Sequence, residues 1–141
     1  GSAAARSILG SAADNLEIDW LQPVCKDSLE MTGADRGAIV NALSAALARS
    51  PDAPVLVIHG TDTMPRTGEV LAEAFPECRI LLTGAMRPYE VDPVEPAFNL
   101  GLAVGFLQAS PAAGVYLAMS GLVRPLGELE KDRDAGLFRA R

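Results

Sequence analysis

Ten residues constrain this chain more than any others: Val55 to Met64, reading Val-Leu-Val-Ile-His-Gly-Thr-Asp-Thr-Met. From Val55 to His59 the side chains are large and mostly β-branched, with almost no polar alternation. That pattern predicts a central strand buried on both faces of a parallel sheet. The strand runs directly into Gly60, Thr61, Asp62 and Thr63. Two hydroxyls and a carboxylate thus lie just past the carboxyl end of a strand, which is where open α/β sheets bind ligands.

A second run, Arg79 to Met86, repeats the arrangement with an apolar strand, then Thr83, then Gly84, a residue suited to a turn or a close backbone approach. Pro65 to Ala74 lies between the two runs and reads as one helix, with proline in its first turn and Val70, Leu71 and Ala74 on one face. Neighbouring strands of this kind are expected to aim Thr61, Asp62 and Thr83 at one crevice.

The rest of the chain extends the alternation. Ala3 to Gly10 predicts a short helix, and Glu17 to Val24 a strand that delivers Lys26, Asp27 and Ser28 to its end. Thr32 and Asp35 have capping-box spacing, and Ile39, Val40, Leu43, Ala46 and Leu47 recur at helical intervals up to Ser50. Cys78 to Thr83 is the next strand. The segment from Pro88 to Pro96, with its prolines and its acids Glu90, Asp92 and Glu95, predicts a loop over the crevice whose acids are solvated. Asn99 opens a helix over Leu100 to Ala109, Gly114 to Met119 is a further strand, and beyond Ser120 a polar tail carries Val123, Lys131, Arg133 and Phe138. Strand and helix in alternation predict a doubly wound, mostly parallel α/β sheet with helices on both faces.

Composition narrows the class. At 141 residues, 49% hydrophobic and 21% charged, the chain predicts one globular domain spanning 1–141 rather than a disordered segment. A net charge of −6 argues against nucleic acid or an anionic membrane as partner. No stretch approaches the roughly 20 apolar residues of a membrane span, and the amino terminus lacks signal-peptide character, so a cytoplasmic location is expected. Cys25 and Cys78 fall in predicted strands and read as buried free thiols rather than a disulfide or reactive pair. With one histidine and no paired cysteine spacing, neither a metal nor another cofactor is expected.

A threonine hydroxyl is a weak nucleophile until a base takes its proton. Thr61, Lys131 and Asp62 supply a hydroxyl, an amine and an orienting carboxylate. On the residues alone, Thr61, Asp62 and Thr63 ahead of Pro65 also read as a helix N-cap. Lys131, among Glu130, Asp132, Arg133 and Asp134, reads as a solvated charge. His59 reads as a structural, hydrogen-bonded side chain inside its strand, and Asp27 as a cap for the next helix.

His59-Gly-Thr-Asp-Thr-Met and Leu82-Thr-Gly-Ala-Met-Arg-Pro resemble the two strand ends that line the active site of the bacterial-type L-asparaginase and glutaminase amidohydrolases. Lys26-Asp-Ser-Leu-Glu-Met-Thr resembles that family's Asp-Ser segment, and Phe98-Asn-Leu-Gly, Gly114-Val-Tyr-Leu-Ala-Met and Lys131 come in the family's order. The likeness spans nearly the whole chain and looks closest to a compact, single-domain form.

The resemblance implies a fold like the asparaginase N-terminal domain and hydrolysis of L-asparagine to L-aspartate and ammonia by a threonine nucleophile, without cofactor. Thr61 would attack the amide or activate water, Asp62 would bind the α-ammonium, and Lys131 would share a network with Thr61. Ser28, beside Asp27, would hold the α-carboxylate with NH groups of the adjacent helix start, while Gly60 and Ala85 would present backbone to the substrate. A homodimer or larger homo-oligomer is implied as well. The family's leading strand, ending Thr-Gly-Gly-Thr and followed by a mobile catalytic loop, finds no counterpart here, so a domain lacking both is expected. Leu29 and Glu95 also replace a polar residue and an aspartate of the family pattern. A catalytically incomplete amino-acid-binding module or structural relative is the alternative reading.

Overall fold

The computed structural model describes residues 2–141. Helix α1 spans Ser2–Ala12, and a 3-10 turn at Ser28–Glu30 precedes α2, Gly33–Arg49. Strand β1 is Val55–Ile58, helix α3 Met64–Ala74, β2 Arg79–Thr83 and α4 Val94–Gln108. Strands β3 Gly114–Met119, β4 Leu122–Pro125, β5 Leu129–Asp132 and β6 Leu137–Ala140 complete the chain. No helix of the described residues is long and apolar enough to cross a membrane.

One sheet has the order β1-β2-β3-β4, with the first three strands parallel and β4 antiparallel to β3; β5 and β6 form a separate antiparallel pair. Ile80, Leu82, Val115, Leu117 and Met119 pack with Ile39 and Leu43 of α2 and Met64 and Leu71 of α3 on one face. Leu81 and Ala118 pack with Ala103 and Leu107 of α4 on the other. This is the mixed α/β fold, with a mostly parallel sheet and helices on both faces, that the alternation predicts. Since β1, β2 and β3 advance in one direction while α3 and α4 lie on opposite faces, the two crossovers have opposite hands. One of them therefore departs from the right-handed rule for parallel connections.

Several expectations are corrected. Strand β1 is not central: it forms one edge of the sheet, and all four of its residues are only half-buried. Glu17 to Val24 is irregular and mostly exposed, with no ladder partner among the described residues. Ile18 and Leu21 are 39% and 40% exposed, so the apolar spacing there reflects no buried face. Cys25 is accordingly exposed outside any strand, while Cys78 is half-buried just before β2; both are free.

Helix α4 starts six residues before the expected Leu100, because Asp92 Oδ1 accepts the N–H groups of Val94 and Glu95 at 3.1 and 3.3 Å and caps it. The polar tail is structured as β4 and the β5–β6 hairpin, whose Leu129 and Phe138 are both 2% exposed and complete the core. The Thr32–Asp35 capping box of α2 is formed in full.

Candidate active site

The carboxyl end of β1 opens into the turn that carries Gly60, Thr61, Asp62 and Thr63. None of the three polar side chains caps α3: Thr63, the N-cap residue, makes no cap bond and instead donates to the Ser28 carbonyl at 2.9 Å. Thr61 and Asp62 turn toward the β5–β6 hairpin. Lys131, on β5, donates from Nζ to Thr61 Oγ1 at 2.8 Å and to Asp62 Oδ1 at 2.9 Å. Arg133, two residues on in the hairpin turn, donates to the same Asp62 oxygen at 2.7 Å. The hydrogen bonds from Lys131, and then from Arg133, hold the Asp62 carboxyl below its ordinary range. A hydroxyl, an amine and an ionised carboxylate, brought from places some 70 residues apart, thus share one network.

Beneath the turn lies a second, buried network whose proton positions are dictated by valence. Arg36 is 4% exposed and donates from Nε to Thr67 Oγ1 at 3.0 Å; a guanidinium only donates, so Thr67 accepts. The Gly60 carbonyl, 2.7 Å from His59 Nδ1, can only accept, so the ring proton sits on Nδ1. In the neutral ring Nε2 is then bare and takes the Thr67 proton across 2.7 Å. Burial, and secondarily the nearby Arg36 charge, lowers the His59 pKa against the opposing Gly60 bond, so the ring stays neutral. His59 clamps the carbonyl one residue before Thr61; it is not placed to take that residue's proton.

Ser28 begins the 3-10 turn, is 1% exposed, and its Oγ has no hydrogen-bond partner. It packs against Gly60, where an added Cβ would lie 2.8 Å from that oxygen. Asp27 accepts the Leu29 N–H at 3.1 Å and caps the turn. At the start of α2, Thr32 and Asp35 cap each other's backbone N–H groups, so those two donors are already engaged.

The end of β2 is built differently. Thr83 is 1% exposed and donates to the Ala118 carbonyl at 2.6 Å, so it does not line the crevice with Thr61, contrary to expectation. Gly84 passes so close to β1 that a Cβ would overlap the His59 carbonyl oxygen. Two residues one helical turn apart on α4 fasten the loop beyond Thr83. Asn99 Nδ2 donates to the Gly84 carbonyl at 2.7 Å, and the Glu95 carboxylate accepts the N–H groups of Met86 and Arg87 at 2.8 and 3.0 Å. Ala85 is suspended between these anchors. Glu95 is therefore a structural acceptor, and Asp92, which also pairs with Arg87 at 3.5 Å, is a cap; neither is merely solvated.

Arg36, Thr67, Glu95 and Arg133 are the site residues that sequence reasoning passed over. Arg36 was legible as an arginine on the apolar stripe with Ile39 and Leu43. Arg133 was legible only given the hairpin, which sets it two positions from Lys131. Among the described residues no group of three or more His, Cys, Asp or Glu stands close enough to hold a metal ion.

The family profile "Asparaginase, N-terminal" matches residues 3–132. The crystal structure of a probable cytoplasmic L-asparaginase from Campylobacter jejuni matches over 96% of this chain with a TM-score of 0.78, at 22% sequence identity. This chain spans 44% of that one, and at this identity the match speaks for the fold alone. Among curated proteins nothing matches. With the profile covering most of its length and the fold shared, the chain belongs to the asparaginase family, in the part described as the N-terminal domain.

Proposed function

We propose that this chain is an asparaginase-type amidohydrolase that releases ammonia from the side-chain amide of L-asparagine, leaving L-aspartate, with Thr61 as nucleophile. The observation that carries this reading is the position of Lys131 Nζ, 2.8 Å from Thr61 Oγ1 and 2.9 Å from Asp62 Oδ1. Once the Lys131 ammonium of the resting cluster has given one proton to solvent, Thr61 Oγ1 adds to the amide carbon while its own proton passes to Nζ. The C–N bond then breaks, nitrogen leaves as ammonia with that proton, and water cleaves the acyl ester to give the acid. Backbone N–H groups near Gly60 and Gly84 are the candidates for holding the oxyanion, a contribution of ~3 kcal/mol per donor. Asp62 orients Lys131 and offers the negative charge an α-ammonium would seek, and Ser28 and Ala85 border the substrate.

A cytoplasmic setting belongs to this reading, in keeping with the name of the Campylobacter protein, as does assembly into a homo-oligomer. The test is ammonia release from L-asparagine by the purified chain and by Thr61→Val, whose near-isosteric side chain removes only the hydroxyl. Turnover that disappears in the variant is the expected result. L-Aspartate binding without turnover by either protein would instead identify an amino-acid-binding module.

A further inference from the structure

The Asp62 carboxylate is more heavily committed than an acceptor for a substrate cation should be. It is the acid that shares a donor with Thr61, through Lys131, so an ammonium on a molecule seated at Thr61 would turn to it. Yet its Oδ1 already receives two cations, Lys131 Nζ at 2.9 Å and the Arg133 guanidinium at 2.7 Å. One negative and two positive charges leave the cluster with a net charge of +1. The neighbouring acid of the hairpin does not offset this, because Asp132 is taken by Arg139 at 2.8 Å and by the Ala135 N–H at 3.0 Å. Among the described residues Arg133 pairs with no acid other than Asp62.

The two cations are not equivalent. Lys131 is 16% exposed and held between two oxygens, whereas the Arg133 side chain is 64% exposed and reaches Asp62 from solvent. We propose that Arg133 is a specificity-determining residue: it occupies Asp62 in place of a substrate ammonium, so that the site takes small dicarboxylic monoamides lacking the α-ammonium, such as succinamate, as readily as L-asparagine.

An α-ammonium entering this site has to displace Arg133 or share one carboxylate oxygen with two like charges. A deaminated substrate leaves the pair intact, and its carboxylates are drawn to the net positive cluster. Because the displaced pair is largely exposed, it tilts the preference and does not exclude either ligand; the tilt is about fivefold, the most such a pair supports.

The inference rests on the amidohydrolase reading of the Thr61 site, and the experiment separates the two. L-Aspartate and succinate are titrated into the full chain, into Arg133→Gln and into Arg133→Lys, following the backbone amide signals of Gly60 to Thr63. The unaltered chain and Arg133→Lys are expected to bind the two ligands with dissociation constants within about twofold of each other. Arg133→Gln is expected to bind L-aspartate about fivefold tighter than the unaltered chain, with succinate unchanged or weaker. A preference of tenfold or more for L-aspartate in the unaltered chain overturns the inference and leaves the amidohydrolase reading standing. So does an Arg133→Gln variant with an unchanged ratio. If neither ligand moves those signals in any of the three proteins, both the site reading and the inference fall together.

Discussion

Two strand ends, side by side in one sheet, each set a threonine next to a glycine and do opposite things with it. After β1 comes Gly60-Thr61, and β2 ends in Thr83-Gly84, the strands pairing in parallel with Ile58 beside Thr83. Thr61 meets an amine delivered by a distant hairpin, beside a carboxylate partly open to solvent. Thr83 meets the Ala118 carbonyl of the next strand at 2.6 Å and the Met119 sulfur at 3.9 Å, in complete burial. The difference arises from position in the sheet: β2 is flanked on both sides, so its last hydroxyl finds a backbone acceptor, while β1 is an edge whose final residues turn out toward the hairpin. A motif therefore becomes a reactive group only where a charged partner from elsewhere in the chain completes it.

The sharpest way to break this contrast is to remove each hydroxyl in turn. Thr61→Val is expected to lower ammonia release by something on the order of 10⁴-fold, as loss of a nucleophile does, with little change in the urea midpoint. Thr83→Val leaves the Ala118 carbonyl unpaired in a dry interior and is expected to cost ~1 to 3 kcal/mol of stability while turnover stays within about tenfold. Equal losses of activity in the two variants would erase the distinction. The two glycines sharpen it further. Gly84→Ala drives a methyl into the rigid His59 carbonyl and is expected to cost about 3 kcal/mol, whereas Gly60→Ala meets Ser28 Oγ, which can rotate, and Ser28 Cβ at 2.9 Å, which yields only if the 3-10 turn shifts, and should cost about 2 kcal/mol. Chemical denaturation of both variants provides the check.

How far this was legible in the sequence depends on whether the information was local. Strands β1, β2 and β3 announce themselves by uninterrupted apolar runs, and the capping box of Thr32 and Asp35 by spacing alone. The edge position of β1 was hidden, since an apolar run is the same whether one or two strands flank it. The β5–β6 hairpin was hidden because only Leu129, Leu137 and Phe138 mark it as apolar, and it is in that hairpin that Lys131 becomes a neighbour of Thr61. By its own neighbours Lys131 is one charge among several, and nothing local marks it as the neighbour of Thr61. Arg133 and Glu95 were missed for the same reason, their partners lying 71 and 8 residues or more away across elements whose ends had not been placed.

Glu95 permits a milder perturbation of the β2 side. Its two oxygens each accept one amide of the loop after Ala85, so Glu95→Gln turns one acceptor into a donor facing a donor. A loss of about 1 kcal/mol is expected, with faster hydrogen exchange at the Met86 and Arg87 amides. Protection unchanged at both amides would show that α4 holds this loop through Asn99 alone.

The smallest expected effect, a slope rather than a step, lies under the β1 side. His59 is the single histidine of the chain, and histidine is the side chain whose ordinary pKa falls between about pH 5 and 7. Its folded pKa is lowered from 6.5, first by burial and then by Arg36. Between the folded and unfolded values the unfolded chain binds more protons, and stability must rise with pH across that window. The contribution is complete above pH 6.5 and is lost as pH falls through the depressed folded value. Asp62, also lowered, acts in a separate window: its contribution is present above pH 3.8 and lost below as pH falls through its folded value. Urea midpoints measured from pH 8 to 5 should therefore be level and then decline, and ring ¹⁵N spectra should show protonated Nδ1 and bare Nε2 throughout the level part. Arg36→Met removes the repelling charge but keeps the burial, so the decline should become shallower without disappearing. A decline that is unchanged would mean that burial alone keeps the ring neutral, and that Arg36 holds Thr67 in place without influencing the proton on His59.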